Sequence, residues 1–97
     1  MTISVTQEDI CNGKRKSNNN CPVALALNRQ AGKGHSMGFG ICKKVGSKFR
    51  YFRTPPEVYE FVILFDAGIP VLPFEFELEA DPPLLEELVR ECINEST

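Results

Sequence analysis

The sequence predicts an α+β domain: a three- or four-stranded, largely antiparallel sheet with helices packed on one face, in the order β-α-α-β-β-α-β-α. Three observations lead there. Thr54 to Gly68, TPPEVYEFVILFDAG, sets Val58, Phe61, Val62 and Phe65 along one helical face. From Val71 the period changes to two, with Leu72, Phe74, Phe76 and Leu78 pointing one way and Glu75, Glu77 and Glu79 the other. Between Met37 and Arg53, two short runs flank Gly46-Ser47, as in a hairpin with a glycine-containing turn. The chain has 97 residues and no repeat or linker, so one domain is expected over residues 1–97.

In chain order, Ile3 to Val5 is short and β-branched, a first strand. Thr6 caps a brief helix whose first turn holds Glu8 and Asp9, and Gly13 ends it. Lys14 to Asn20, KRKSNNN, has nothing to place in a core and reads as a loop. Asn20 is a candidate N-cap for the next helix, with Pro22 in its first turn and Gly32 as its stop. Val23 and Leu27, with Ala24 or Ala26, give that helix a small-residue face suited to close packing. Gly32 to Ser36, GKGHS, is a second basic loop.

The hairpin strands are Met37–Lys44 and Lys48–Arg53. Met37, Phe39 and Ile41 are expected on one face, and Gly38, Gly40 and Cys42 on the other, leaving a nearly bare backbone there. On the second strand Phe49 and Tyr51 oppose Arg50 and Phe52. Thr54 is the expected N-cap of the central helix, with Pro55 and Pro56 in its first turn; Gly68 is the expected left-handed stop, and Pro70 prevents restart. Asp81 caps a final helix with an apolar stripe of Leu84, Leu85, Leu88, Val89, Cys92 and Ile93, on which Glu86 and Arg90 pair.

Charge is distributed by halves. Residues 1–53 carry ten Lys and Arg against Glu8 and Asp9, a net of +8. Residues 54–97 carry eleven Asp and Glu against Arg90, a net of −10. The halves can neutralise each other across the sheet, and part of the basic half can form a binding surface; the two are compatible, because only some of the basic residues can pair. No apolar run reaches the length of a membrane span, and the N-terminus lacks the pattern of a signal peptide, so a cytoplasmic protein is expected. Cys11, Cys21, Cys42 and Cys92 are then expected as free thiols, and none lies within four positions of another. No metal site and no cofactor are expected.

Catalysis finds little support. His35 is the only histidine, without a nearby nucleophile in sequence. Cys21 at a helix start is a candidate for a lowered pKa, against its reading as a small buried thiol. Glu75, Glu77 and Glu79 on one strand face could hold a cation, but pairing with Lys44, Lys48 or Arg50 across the sheet is the favoured use. The Gly32–Ser36 loop is not a P-loop, because Leu27 and Gly34 stand where that motif needs glycine and Ser or Thr. A looser anion site remains, against its reading as two solvated loops. Lys14, Arg15, Lys16, Arg29, Lys33 and His35 would line it with exposed backbone N–H groups, joined by Arg50 and Arg53. Double-stranded nucleic acid fits poorly, given a pI near 5.4 and no duplex-reading motif. An available sheet edge, the bare Gly38–Gly40 backbone and the charged faces would instead serve docking on a protein or self-association.

The opening Glu8–Ile10–Gly13, the run Cys21-Pro22-Val23-Ala24-Leu25-Ala26-Leu27 with Arg29, and Phe65-Asp66-Ala67-Gly68 followed by Pro70-Val71 and Pro73-Phe74-Glu75-Phe76-Glu77-Leu78 together resemble a group of small bacteriophage- and prophage-encoded proteins. The resemblance covers most of the chain, least of all the basic loops, and carries no catalytic residue. It implies a phage accessory protein acting in the cytoplasm of a bacterial host cell. The expectation is a non-enzymatic binding or inhibitor protein, a homo-oligomer, that counters a host defence by sequestering a nucleotide-like anion. The alternatives are direct docking on a host protein, or a small enzyme using Cys21 or the glutamate face.

Overall fold

The structure, a computed structural model, describes residues 1–80. The expected final helix from Asp81, with its apolar stripe and the Glu86–Arg90 pair, lies outside the described residues. Among the described residues the elements run β1 (Thr2–Val5), α1 (Gln7–Asn12), α2 (Pro22–Ala31), β2 (His35–Met37), β3 (Ile41–Val45), β4 (Lys48–Arg53), α3 (Pro56–Asp66), β5 (Phe74–Glu77) and β6 (Glu79–Ala80). The class is α+β, and every described strand pair is antiparallel. No described helix is long and apolar enough to cross a membrane.

The strands form two sheets, β1-β5 and β2-β3-β4-β6, where one was expected. The division follows from side-chain faces. Ile3, Val5, Phe74 and Phe76 lie on one face of β1-β5, in the register Ile3↔Phe76 and Val5↔Phe74. Ile3, Val5 and Phe76 are buried and Phe74 packs against them, so joining β5 to β1 completes an apolar face. The strand expected from Val71 begins only at Phe74, because Pro70 and Pro73 remove main-chain donors, and Leu72 is exposed. The strand expected from Met37 to Lys44 is broken too: residues 38–40 bend away, so β2 and β3 are separate strands, and Phe39 is fully exposed rather than beside Met37 and Ile41.

Helix α2 joins the two sheets. Its Val23, Ala24, Ala26 and Leu27 are buried with Ile3 and Val5 from one side and Met37 and Ile41 from the other. The residues Asn28-Arg29-Gln30 fasten its last turn to three elements. The Asn28 amide accepts from His35 N–H (2.8 Å) and donates to His35 C=O (3.1 Å) on β2. The Gln30 amide accepts from Ser4 N–H (2.9 Å) and donates to Ser4 C=O (2.7 Å) on β1. Each amide thereby substitutes for a neighbouring strand on an outer sheet edge. Arg29 binds the Asp9 carboxylate of α1 at 2.5 Å. Asp9 is buried, and its other contacts come from the Thr6 N–H (2.9 Å) and hydroxyl (3.1 Å), so the buried charge is paired and hydrogen-bonded.

Local signals act as expected at several ends. Thr6 and Asp9 form a reciprocal capping box on α1. The turn Gly46-Ser47 is a two-residue hairpin loop, with φ of +63° at Gly46. At the end of α3, Ile69 N–H donates to Leu64 C=O and Gly68 N–H to Phe65 C=O, with φ of +79° at Gly68, a Schellman motif. Two caps differ. Cys21, not Asn20, caps α2, its sulfur accepting from Ala24 N–H at 3.5 Å. Pro55, not Thr54, precedes α3, because the Thr54 hydroxyl is engaged with Ile41 N–H at 2.9 Å.

Candidate functional site

The basic loop Lys14–Asn20 is folded back on itself. Lys14 N–H donates to Asn20 C=O, Cys21 N–H to Ser17 C=O, and Asn18 C=O accepts from Met37 N–H at 2.8 Å. With the Asn28 amide on His35, that last bond covers the outer edge of β2. That edge is therefore occupied and is not the available one for docking. At the far side, Lys16 N–H donates to the Asp66 carboxylate at 2.8 Å, and Arg15 lies against Gly68, where a Cβ would stand 3.2 Å from its guanidinium. Arg15 and Lys16 thus sit at the C-terminal end of α3, where cations complement the helix dipole and Asp66.

Where this loop meets the turn Gly32–Gly34 there is an open pocket of about 350 Å³. Lys33, Gly34, His35 and Ser36 line it together with Lys44 and Phe49 of the hairpin and with Asn19 and Asn28. The hairpin register places Lys44 opposite Phe49. Lys44 N–H donates to Gly34 C=O at 3.0 Å, which holds the turn against β3. The main-chain N–H groups of Lys33 and Gly34 take part in none of the loop and turn hydrogen bonds among the described residues. The pocket thus brings together two lysines, the main-chain N–H groups of Lys33 and Gly34, the Asn19 amide and one exposed aromatic residue, while the Asn28 amide is already committed to Ala24 and His35. This set suits an anion carrying a flat, apolar part, and the volume lies at the lower end of small-ligand sites.

The expected site residues do not converge. Lys33 and His35 reach this pocket; Arg15 and Lys16 sit at the end of α3, and Lys14 is exposed nearby on the loop. Arg29 is committed to Asp9 and to Ser4 C=O. Arg50 lies on the inward-facing side of β4, its guanidinium 5.7 Å from the Phe52 ring centroid, and Arg53 lies on the outer side beside Glu79. His35 itself is buried, with Nδ1 2.6 Å from Gly32 C=O and its ring 5.8 Å from that of Phe52. His35 thus stands as a buried wall of the pocket, with Nδ1 engaged by the Gly32 carbonyl.

Lys44, Phe49, Asn19 and Asn28 were missed by sequence reasoning. The two-residue turn Gly46-Ser47 fixes Lys44 opposite Phe49 and was the one available signal for that pair. The glutamates are separated as well. Glu75 faces the Ser4 hydroxyl, and Glu77 the Thr2 hydroxyl and the terminal amine of Met1, so neither meets the expected lysines. Glu79 is on the other sheet, in register with Arg53. No cluster of metal-ligating side chains occurs among the described residues. Cys21 is buried and its thiol is pushed above its ordinary value by desolvation, only partly offset by N–H bonds from Ala24 and Val23. The lowered pKa considered for a helix start is overturned, because burial outweighs the dipole. Cys11, Cys21 and Cys42 are free thiols.

Neither a family model, nor a curated protein, nor a solved structure matches this chain.

Proposed function

We propose that the chain is a non-enzymatic binding protein that captures a small nucleotide-like anion in the Lys33–Lys44 pocket. The observation that carries this reading is the meeting of two lysines, the Lys33 and Gly34 N–H groups, the Asn19 amide and Phe49 around one open pocket. The phosphate would take Lys33, Lys44 and the Gly32–Gly34 turn, and the base would lie on Phe49. Taken with the resemblance to phage-encoded proteins, the role is to deplete a nucleotide signal that a bacterial host uses in defence, in the host cytoplasm. Of the residues expected to line the site, Lys33 is retained as a donor and His35 as a wall. Lys14, Arg15 and Lys16 act at longer range, and Arg29, Arg50 and Arg53 are not part of this pocket.

Thermal unfolding against mono-, di- and cyclic dinucleotides tests the reading. A ligand at 100 times its Kd adds about 2.7 kcal/mol, which raises the midpoint of a domain this size by roughly 10 °C or more. The shift should vanish in Lys33→Glu/Lys44→Glu, whose side chains are exposed and whose fold should persist. A flat panel with the wild-type protein overturns the reading.

A second reading, docking on a host protein or self-association, is favoured by apolar side chains on and after α3: Ile63 is 67% and Leu72 80% exposed. Light scattering of the purified chain decides whether it forms a homo-oligomer, and Ile63→Glu should then shift it to monomer.

A further inference from the structure

The outer face of β3-β4 overlaps the pocket at Lys44 and Phe49 and extends beyond it to Tyr51 and Arg53. The inward side of this sheet carries Met37 and Ile41, both buried, and Phe52, packed against the core. Alternation sends Cys42 and Lys44 of β3, and Phe49, Tyr51 and Arg53 of β4, to the opposite side. Register pairs Cys42 with Tyr51 and Lys44 with Phe49. Phe49 and Tyr51 are 56% and 62% exposed, two large rings presented to solvent by one strand. They are two residues apart on the same face, hence about 7 Å apart along the strand.

The charge around them is of one sign over a long stretch. No Asp or Glu occurs between Asp9 and Glu57; Lys44 and Arg53 share the face of the two rings, while Lys48 and Arg50 alternate to the other side of the sheet. All four are exposed. Among the described residues, the carboxylate that the register brings to this rung is Glu79, opposite Arg53. The two ion pairs among the described residues, Met1–Glu77 and Asp9–Arg29, involve none of these cations.

We infer that this face binds single-stranded nucleic acid, with successive bases stacked on Phe49 and Tyr51 and the backbone tracked by Lys44 and Arg53. Base-on-ring stacking is tolerant of sequence and needs unpaired bases, while the cations supply a salt-dependent attraction to phosphate. A duplex hides its base faces, so the rings select single strands. The face differs from the nucleotide pocket in Tyr51 and Arg53, which do not line that pocket, and shares Lys44 and Phe49 with it.

Fluorescence anisotropy with labelled dT12 and rU12, and with a duplex of the same length, tests the inference at low salt and in salt steps. Both single strands should bind, and the duplex at least tenfold more weakly. Tyr51→Ala should weaken single-strand binding roughly tenfold or more, the loss of one stacked base, while Tyr51→Phe should retain it. Arg53→Ala should lower the slope of log K against log salt by about 0.7, the share of one single-strand phosphate. Binding unaffected by Tyr51→Ala, equal binding of the duplex, or no binding of any wild-type single strand overturns the inference. So does a wild-type dimer that Tyr51→Ala converts to monomer without any oligonucleotide affinity, because the rings then form a self-contact. The pocket reading fails separately: Lys33→Glu should abolish mononucleotide shifts without removing the dependence of oligonucleotide binding on Tyr51.

Discussion

Replacing Asn28 by alanine should cost more stability than the matched amide change at Gln30, on the same turn of α2. Asn28 makes three side-chain bonds, to Ala24 C=O at 2.9 Å, His35 N–H at 2.8 Å and His35 C=O at 3.1 Å. The Ala24 carbonyl keeps its helical partner after truncation. The two main-chain groups of buried His35 do not. An orphaned buried polar group costs about 1–3 kcal/mol. The pocket beside Asn28 admits water, which holds each near the lower half of that range. Alanine also returns roughly 0.5 kcal/mol in helix propensity. The net loss is about 2–3 kcal/mol, or roughly 10–20 °C in midpoint for a domain this size.

Gln30→Ala is the matched comparison. It also removes a two-bond clamp, on Ser4, but the Ser4 carbonyl retains the Arg29 guanidinium at 3.3 Å. One orphaned group then remains, for a loss of about 1 kcal/mol. Urea unfolding followed by far-UV circular dichroism measures both variants, with the denaturant slope checked for constancy. If Asn28→Ala falls within about 0.5 kcal/mol of the parent, or if Gln30→Ala costs more, the clamps do not bear on stability as argued.

Three further outcomes follow from single contacts. Gly13→Ala should destabilise by about 1–3 kcal/mol in the same urea assay, because its Cβ would stand 2.5 Å from the Pro22 Cδ; an unchanged midpoint would show that the α1–α2 junction gives way freely. Glu77 titrates below its ordinary 4.5, held down first by the Thr2 hydroxyl and then by the Met1 amine. A lowered carboxylate contributes stability above pH 4.5 that is lost as pH falls through the folded value, so Thr2→Val should flatten the acid limb of the stability curve below that pH; superimposable limbs would refute it. The Cys21 thiol is raised by burial, so alkylation mapped by mass spectrometry at pH 8 should be at least tenfold slower at Cys21 than at exposed Cys11. Equal rates would return Cys21 to the list of reactive groups.

What the sequence discloses about this fold is what neighbouring residues decide among themselves. Thr6 and Asp9 cap α1 within one turn, Gly68 closes α3 through bonds confined to residues 64–69, and Gly46-Ser47 turns the hairpin in two residues. Features set by distant partners were not legible. Thr54 has the composition of a helix cap, yet Ile41 N–H, thirteen residues away, takes its hydroxyl. The amides of Asn28 and Gln30 bond backbones seven and twenty-six residues away, and an amide in a helix carries no mark of that use. The same limit governed the site. Grouping cations by sequence joined Arg29 to Lys33, although Arg29 is drawn to buried Asp9 on α1. Lys44 and Phe49 became neighbours only through the register of the hairpin.

The charge asymmetry of the halves has a physical resolution that the totals conceal. Had Glu75 and Glu77 lain across from Lys44, Lys48 or Arg50, the basic half would have been neutralised inside its own sheet. Instead the apolar partners Ile3 and Val5 draw β5 onto β1, and the two glutamates go with it, to the Ser4 and Thr2 hydroxyls. Packing of one face therefore decides the electrostatics of another. The carboxylates that β5 carries are spent on a sheet without lysines, while Lys33, Lys44 and Arg53 stay exposed around the pocket and the outer face. A pI near 5.4 thus coexists with a locally cationic surface. Ligand capture there should weaken with salt even though the whole chain is acidic, because attraction between exposed charges is set within a Debye length of about 10 Å rather than by the net charge. Affinity of the pocket for an anion that did not fall between 50 and 300 mM salt would locate the binding energy in stacking on Phe49 instead.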